Sequence, residues 1–214
     1  MNQKLTELIF ILDRSGSMFG LEPDTIGGFN GLIQKQKGEE GQALVSTILF
    51  SNQSQVLHDR VPVERVRPMT MADYQVGGGT ALLDAIGDAI HHIRNVHKYA
   101  RPEDVPARTM MVITTDGMEN GSRRYTLEQI KTDIQRQKQA GWEFLFLGAN
   151  MDAVATAGQM GIHADHAVTY QCDAQGMAVN YEALNQAITN VRNARSVGSG
   201  WKAKIQRDRT KRGK

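Results

Sequence analysis

The chain has 214 residues, 40% apolar and 22% charged, the usage of one soluble globular domain with a short extension, which excludes a disordered polymer and a fibrous repeat. Its formal net charge is +2, but the C-terminal stretch carries Arg192, Arg195, Lys202, Lys204, Arg207, Arg209, Lys211, Arg212 and Lys214 against Asp208 alone, so the body is acidic. The apolar run Leu8 to Leu12 is too short for a secretory leader or a membrane span, and the lone Cys172 closes no internal disulfide, which together point to a cytoplasmic protein.

In chain order, Glu7 to Leu12 predicts a buried strand ending at Asp13, followed by a loop rich in Ser and Gly. Pro23 and Asp24 open a helix to Lys37, with Ile26, Phe29, Leu32 and Ile33 on one face and Gly38 at its end. Gly27, Gly28 and Gly31 weaken this helix, so close backbone packing against the sheet or the loop is the expected compensation. Ala43 to Phe50 and Ser54 to Val61 are strands at hairpin spacing and predict a sheet edge. After Gly77-Gly78-Gly79-Thr80 comes an amphipathic helix that buries Leu82, Leu83, Ile86, Ala89, Ile90 and Ile93. Arg108 to Thr115 is a continuous apolar strand closing on Asp116, Leu127 to Ala140 a helix ended by Gly141, and Trp142 to Gly148 another buried strand. Met151 to Met160 and Tyr181 to Arg192 complete the helices, with a short strand, Ala167 to Tyr170, between them.

Strands separated by helices imply parallel pairing through right-handed crossovers. The expected fold is therefore α/β: a doubly wound, mostly parallel sheet of about six strands with one antiparallel edge strand and helices on both faces. In such sheets ligands bind outside the carboxyl ends of the strands, where connections diverge. Asp13 and Asp116 both fall at such ends.

Three separated segments share one chemistry: Asp13-Arg14-Ser15-Gly16-Ser17-Met18, Gly78-Gly79-Thr80, and Thr114-Thr115-Asp116-Gly117. Two carboxylates and several hydroxyls suit a hard cation, Mg²⁺ first with Mn²⁺ or Ca²⁺ as alternatives, and the absence of thiolate or imidazole partners argues against zinc. Gly16 lets the backbone bend so that Ser15 and Ser17 turn to one side. Taken singly, serines after a strand are often helix caps and aspartates at strand ends often turn residues; the three segments together favour a metal.

Asp-x-Ser-x-Ser after a buried strand, Gly-Gly-x-Thr-Ala-Leu at a helix start, and Thr-Asp-Gly at another strand end resemble the metal-ion-dependent adhesion site of von Willebrand factor A domains, in order and over about residues 5 to 190. The chain looks most like small, freestanding bacterial intracellular members of that family. The resemblance implies a Rossmann-like domain over residues 1–195, while the charge density of 196–214 makes that segment the expected basic flexible tail. It implies that Ser15 and Ser17 bind the metal directly, that Asp13 orients water and hydroxyls beneath it, and that Thr80 and Asp116 complete the shell. It also implies a non-enzymatic protein-interaction module whose partner supplies an Asp or Glu carboxylate.

Other signals carry less. His91, His92, His97, His163 and His166 have no zinc spacing, and adjacent His91 and His92 read as solvent-facing. Glu119 and Asn120 would rim the metal and tune partner choice, or only form a turn. Cys172 reads as a small buried or half-buried apolar residue. Ser15 and Ser17 lie in no nucleophile elbow and Gly77 to Gly79 in no P-loop, so hydrolysis assisted by a metal is a rival without a motif. The basic tail could reach nucleic acid, anionic lipid or an acidic protein, although solvation is the ordinary state of such termini.

Overall fold

The computed structural model describes residues 1–212. A six-stranded sheet runs through the domain in the order β3-β2-β1-β4-β5-β6, built from β1 (Asn2–Asp13), β2 (Gln42–Phe50), β3 (Ser54–Pro62), β4 (Pro106–Thr115), β5 (Trp142–Gly148) and β6 (Ala167–Thr169). Only β3, at one edge, pairs antiparallel; every other pairing is parallel. The expected doubly wound architecture and its antiparallel edge hairpin are both present.

The middle of β1, Leu8 to Leu12, and of β4, Met110 to Ile113, is continuously apolar and buried because both faces are covered there. Leu8, Phe10 and Leu12 pack toward α1 (Glu22–Lys37) and α5 (Ala174–Arg192). Ile9 and Ile11 face α2 (Leu82–Tyr99), α3 (Leu127–Gln139) and α4 (Ala153–Gln159). Two of these helices carry sequence-encoded starts. Thr126 and Gln129 form a reciprocal capping box on α3, and the Asp152 side chain accepts the Ala155 N–H at the start of α4.

Four differences from the sequence reading have physical reasons. β1 begins at Asn2 rather than Glu7, since the Asn2 N–H donates to the Val105 carbonyl ahead of β4 and holds polar residues in the ladder. α5 begins at Ala174 rather than Tyr181, because Asp173 caps it by accepting the Gly176 N–H at 2.8 Å. Of the three glycines in α1, only Gly28 is explained by packing, and against a helix rather than the sheet or loop. A Cβ there would lie 2.0 Å from Cδ2 of Tyr181 on α5, whereas Gly27 and Gly31 face open space.

The fourth difference is the C-terminal segment, expected to be a flexible tail. Residues 203–212 form α6 (Ala203–Arg212). Val197, Trp201 and Ile205 are buried in the core shared with α5, and the Trp201 indole N–H donates to the Asp165 carbonyl at 2.8 Å. Three aliphatic and aromatic side chains were enough to fix a segment whose charge density suggested solvation. Several of its cations are engaged within the fold. The buried Arg192 guanidinium donates to the carbonyls of Gln36, Glu39, Glu40 and Gly41, which closes the free C-terminal end of α1. Lys202 donates to the carbonyls of Ala164 and Ala167, Lys204 pairs with Glu182, and Arg212 with Asp173 and Asp208. Gly213 and Lys214 lie outside the described residues.

Candidate metal centre

The strand order reverses between β1 and β4. From its carboxyl end β1 leads to α1 on one face and β4 to α3 on the other, so the two connections diverge and leave a crevice between them. Asp13 closes β1 and Asp116 follows β4, which places both carboxylates at that crevice.

Backbone hydrogen bonds join the three motif loops. The Gly16 N–H donates to Gly78 O at 3.0 Å, Gly77 N–H to Arg14 O at 2.9 Å, and Ala81 N–H to Ser51 O at 2.8 Å. Asn120 and Gly121 N–H groups donate to Thr80 O at 3.0 and 3.1 Å, while the Asn120 side-chain oxygen accepts Thr80 N–H at 2.8 Å. Asn52 accepts Gly79 N–H at 2.7 Å. Gly78 is required here, with φ +82° and a Cβ position only 2.7 Å from Asn52 Nδ2.

The five sequence-predicted residues come together within this frame. Asp13 Oδ1 accepts Ser15 N–H at 2.7 Å and Oδ2 accepts the Thr115 hydroxyl at 2.5 Å; the Tyr74 hydroxyl donates to the Asp13 carbonyl. Ser15 and Ser17 oxygens are 3.1 Å apart, and the Ser17 hydroxyl donates to Asp116 Oδ1 at 2.5 Å. Gly117 shows where Thr80 belongs: a methyl group there would lie 3.0 Å from Thr80 Oγ1, 3.3 Å from Ser17 Oγ and 3.8 Å from Ser15 Oγ. Three hydroxyls from two loops thus converge on the bare backbone of the third.

Burial raises the carboxyl pKa of both Asp13 and Asp116 above the ordinary range, although hydrogen bonds from Thr115 and Ser15 to Asp13, and from Ser17 and Cys172 to Asp116, oppose the shift. Among the described residues no Lys or Arg pairs with either carboxylate. Nor do three or more His, Cys, Asp and Glu residues gather into a metal cluster among them, so the serine and threonine hydroxyls are needed to complete any shell here. Two desolvated carboxylates without a protein cation, beside three converging hydroxyls, are a donor set that fits a hard divalent ion.

The sequence reading missed Tyr74 on Asp13, Asn52 on the Gly79 backbone and Cys172, whose sulfur lies 3.7 Å from Asp116 Oδ2, and gave no role to Thr115, whose hydroxyl bonds Asp13; Asn120, expected either to rim the site or to form a turn, supports it through the Thr80 N–H. Burial and the Asp116 charge push the half-buried Cys172 thiol up to about 12. Of the two open readings of Glu119, the turn wins. Its carboxylate accepts N–H groups of Leu83, Gly121 and Ser122 and the Ser122 hydroxyl. Asp84 does the same for the N–H groups of residues 123 to 125. Between this loop and the β2–β3 turn opens a polar cleft of about 790 Å³, lined by Asn52, Asp84, Asp88, Asn120, Arg123 and Arg124. The helix histidines disperse, His91 toward Asp133, His92 toward Asp59 and His97 toward Glu7.

A doubly wound sheet with this oxygen-rich crevice at its switch point defines a von Willebrand factor A-type domain. The family model described as VWA domain containing CoxE-like protein matches residues 2–184, and the chain belongs to that family. Among curated proteins no sequence matches. Solved structures share the fold at low identity. The pilus adhesin SpaC of Lactobacillus rhamnosus GG has a TM-score of 0.67 at 12% identity, over 89% of this chain and 31% of that one. The vWF domain of the type V pili tip protein Mfa5 from Porphyromonas gingivalis has 0.63 at 12%, over 86% and 94%. Proximal thread matrix protein 1 from the mussel byssus, solved with a zinc occupied MIDAS motif, has 0.57 at 13%, over 88% and 47%. The present chain therefore spans about half of the mussel protein.

Proposed function

We propose that this domain is a divalent-metal-dependent protein-interaction module that takes an Asp or Glu carboxylate from a partner protein. The observation that carries the reading is the convergence of the Ser15, Ser17 and Thr80 hydroxyls on Gly117, beside two buried carboxylates that pair with no Lys or Arg among the described residues. Ser15, Ser17 and Thr80 would hold the ion with Asp13 and Asp116. Mg²⁺ suits the all-oxygen set best, with Mn²⁺ and Ca²⁺ as substitutes. A bound ion supplies a positive centre with few anionic protein ligands, which favours an incoming carboxylate oxygen. Thr115 and the Ser15 N–H fix the Asp13 carboxylate, and Cys172 and Ser17 fix that of Asp116, so the protein presents preset oxygens.

We assign no catalytic residue: no histidine lies hydrogen-bonded to Ser15 or Ser17 among the described residues. A nucleic-acid role through the basic tail loses support because Arg192, Lys202, Lys204 and Arg212 are already paired with carbonyls or carboxylates of this chain. A cytoplasmic setting belongs to the same proposal and is supported by the single free thiol; a bacterial one is supported only by the resemblance to small freestanding members of the family. Calorimetric titration with Mg²⁺ tests the metal site: wild type binds, and Ser15→Ala and Asp116→Asn lose at least about tenfold in affinity. Equal binding by all three proteins overturns the assignment. Phosphatase or nuclease turnover abolished by Asp13→Ala would overturn the non-enzymatic reading.

A further inference from the structure

The rows of side chains that the central strands present to α2 and α3 are apolar except at their amino end. Ile9, Met111 and Phe144 stand in register across β1, β4 and β5, and Ile11, Ile113 and Phe146 form the next row toward the candidate metal centre. The row on the amino side is Glu7, Thr109 and Trp142. Glu7 is occupied by Arg60 and by Nε2 of His97 on α2, whose ring meets that of Trp142 edge-on at 5.8 Å. Thr109 and Trp142, with Gln137 of α3 and Arg94, His97 and Lys98 of α2, line one cavity of about 310 Å³.

Thr109 is 3% exposed, Gln137 4% and Trp142 7%. Among the described residues no hydrogen bond reaches the Thr109 hydroxyl, the Gln137 side-chain amide or the Trp142 indole N–H, and none of these atoms is sealed off by protein, so they open onto the cavity. Buried polar groups ordinarily find a partner, and an apolar side chain of the same shape costs less than an unsatisfied polar one. Valine in place of Thr109 and leucine in place of Gln137 would continue the apolar rows beside them. Instead β4, β5 and α3 each turn a hydrogen-bonding group to one space, whose volume lies within the range of small-molecule sites.

We propose that this cavity binds a small organic carboxylate with an apolar body. The hydrogen-bond inventory selects the head group. The Trp142 N–H, the Arg94 guanidinium and the Lys98 ammonium only donate, Thr109 and Gln137 donate as readily as they accept, and no Asp or Glu among the described residues lines the cavity. Asp133 comes no closer than 4.0 Å to Arg94, and the Lys98 ammonium rests over the Tyr99 ring. A carboxylate offers acceptors alone, and its two oxygens match a planar guanidinium. α2 and α3 both end beside the cavity, and the partial negative charge of their last carbonyls limits the head group to a single charge, which disfavours phosphate. Val105, Pro106 and Ala140 supply apolar wall beside the Trp142 ring for the body of the ligand. The cavity lies at the amino ends of the strands, opposite Asp13 and Asp116, and its reading is independent of any metal.

The test follows the indole N–H signals of the two tryptophans by NMR of the labelled full chain in chelator. Trp142 lines the cavity and Trp201 lies in the core on the other face of the sheet, so Trp201→Phe assigns the pair. Octanoate and 2-naphthoate should shift the Trp142 signal and leave that of Trp201 in place, with a Kd below about 1 mM. Octanamide, 2-naphthamide and inorganic phosphate should bind at least about tenfold more weakly. Gln137→Leu should weaken octanoate by at least about tenfold and raise the urea midpoint of the free protein, because it removes an unpartnered buried amide; Thr109→Val, which keeps the side chain's shape, should act in the same direction. Lys98→Met should weaken the acids and leave the amides unchanged. A Trp142 signal unmoved by about 10 mM of either acid overturns the proposal. So does equal binding of acids and amides, phosphate binding as tight as either acid, or octanoate binding that neither Gln137→Leu nor Thr109→Val weakens.

Discussion

Strand β1 buries two carboxylates on the same face, six residues and about 20 Å apart, and the protein treats them in opposite ways. Glu7, fully buried, accepts from Arg60 Nε at 3.0 and 3.2 Å and lies 3.2 Å from His97 Nε2. Arg60 adopts φ +48° at an irregularity in the β2–β3 pairing to make this contact, a left-handed conformation that costs on the order of 1 kcal/mol outside glycine. Asp13 meets only dipoles and another acid: the Ser15 N–H, the Thr115 hydroxyl and, nearby, Asp116. One end of the strand is an ionic cluster in which the acid finds its counter-charge within the chain. The other is an arranged set of oxygens with a deficit of positive charge. A buried charge paired internally serves the fold, whereas one left without a counter-charge marks a site completed from outside.

The contrast breaks most visibly at Glu7. Glu7→Ala leaves Arg60 and His97 facing each other without their acid, and a loss of about 3 kcal/mol in urea unfolding is expected, with Mg²⁺ affinity unchanged. If metal binding falls too, the two ends are coupled and the contrast fails. Next in size is the response of stability to the ion: saturating wild type with Mg²⁺ at about a hundred times its Kd raises stability by about 2.7 kcal/mol. Asp116→Asn should lose that gain while unfolding like wild type in chelator.

A smaller effect sharpens the site's shape. Gly117→Ala puts a methyl 3.0 Å from Thr80 Oγ1 and 3.3 Å from Ser17 Oγ, so the hydroxyls must give way. Mg²⁺ affinity should fall about tenfold, equivalent to about 1.4 kcal/mol, as calorimetry would show. An undiminished affinity would mean the ion does not need that convergence. The smallest effect concerns His58, a buried group outside both ends, held between the Thr47 hydroxyl and the Arg67 carbonyl. Burial, with the Arg67 charge adding to it, lowers its pKa from 6.5. The unfolded chain therefore takes up the proton first, and the contribution present above pH 6.5 is lost as pH falls through the folded pKa. His58→Phe should flatten that part of the stability profile measured in chelator.

Much of the fold was legible in the order of the segments. Continuous apolar runs such as Arg108 to Thr115 announced strands covered on both faces, and alternation with helical periods announced parallel crossovers. The site was legible because its ligand types are concentrated in three short motifs at strand ends and a helix start. Its supports were not. Tyr74 lies 61 residues from Asp13 and Asn52 lies 27 from Gly79, and no local pattern links such pairs. Charge density misled the reading of the C-terminal segment, since Trp201 and Ile205 are too few to give a periodic signal yet enough to anchor α6.

By itself, then, the sequence determined the α/β class, the strand order's antiparallel edge and the identity of Asp13, Ser15, Ser17, Thr80 and Asp116 as candidate ligands, because each depends on short-range periodicity or on residue chemistry at an element's end. Only the tertiary structure decided that Glu7 is paired with Arg60 and Asp13 with no protein cation among the described residues, that Glu119 faces its own loop, and that the three site hydroxyls meet at Gly117. Those outcomes depend on which distant side chains the sheet brings within a few ångströms, and electrostatic and contact energies fall away over that distance.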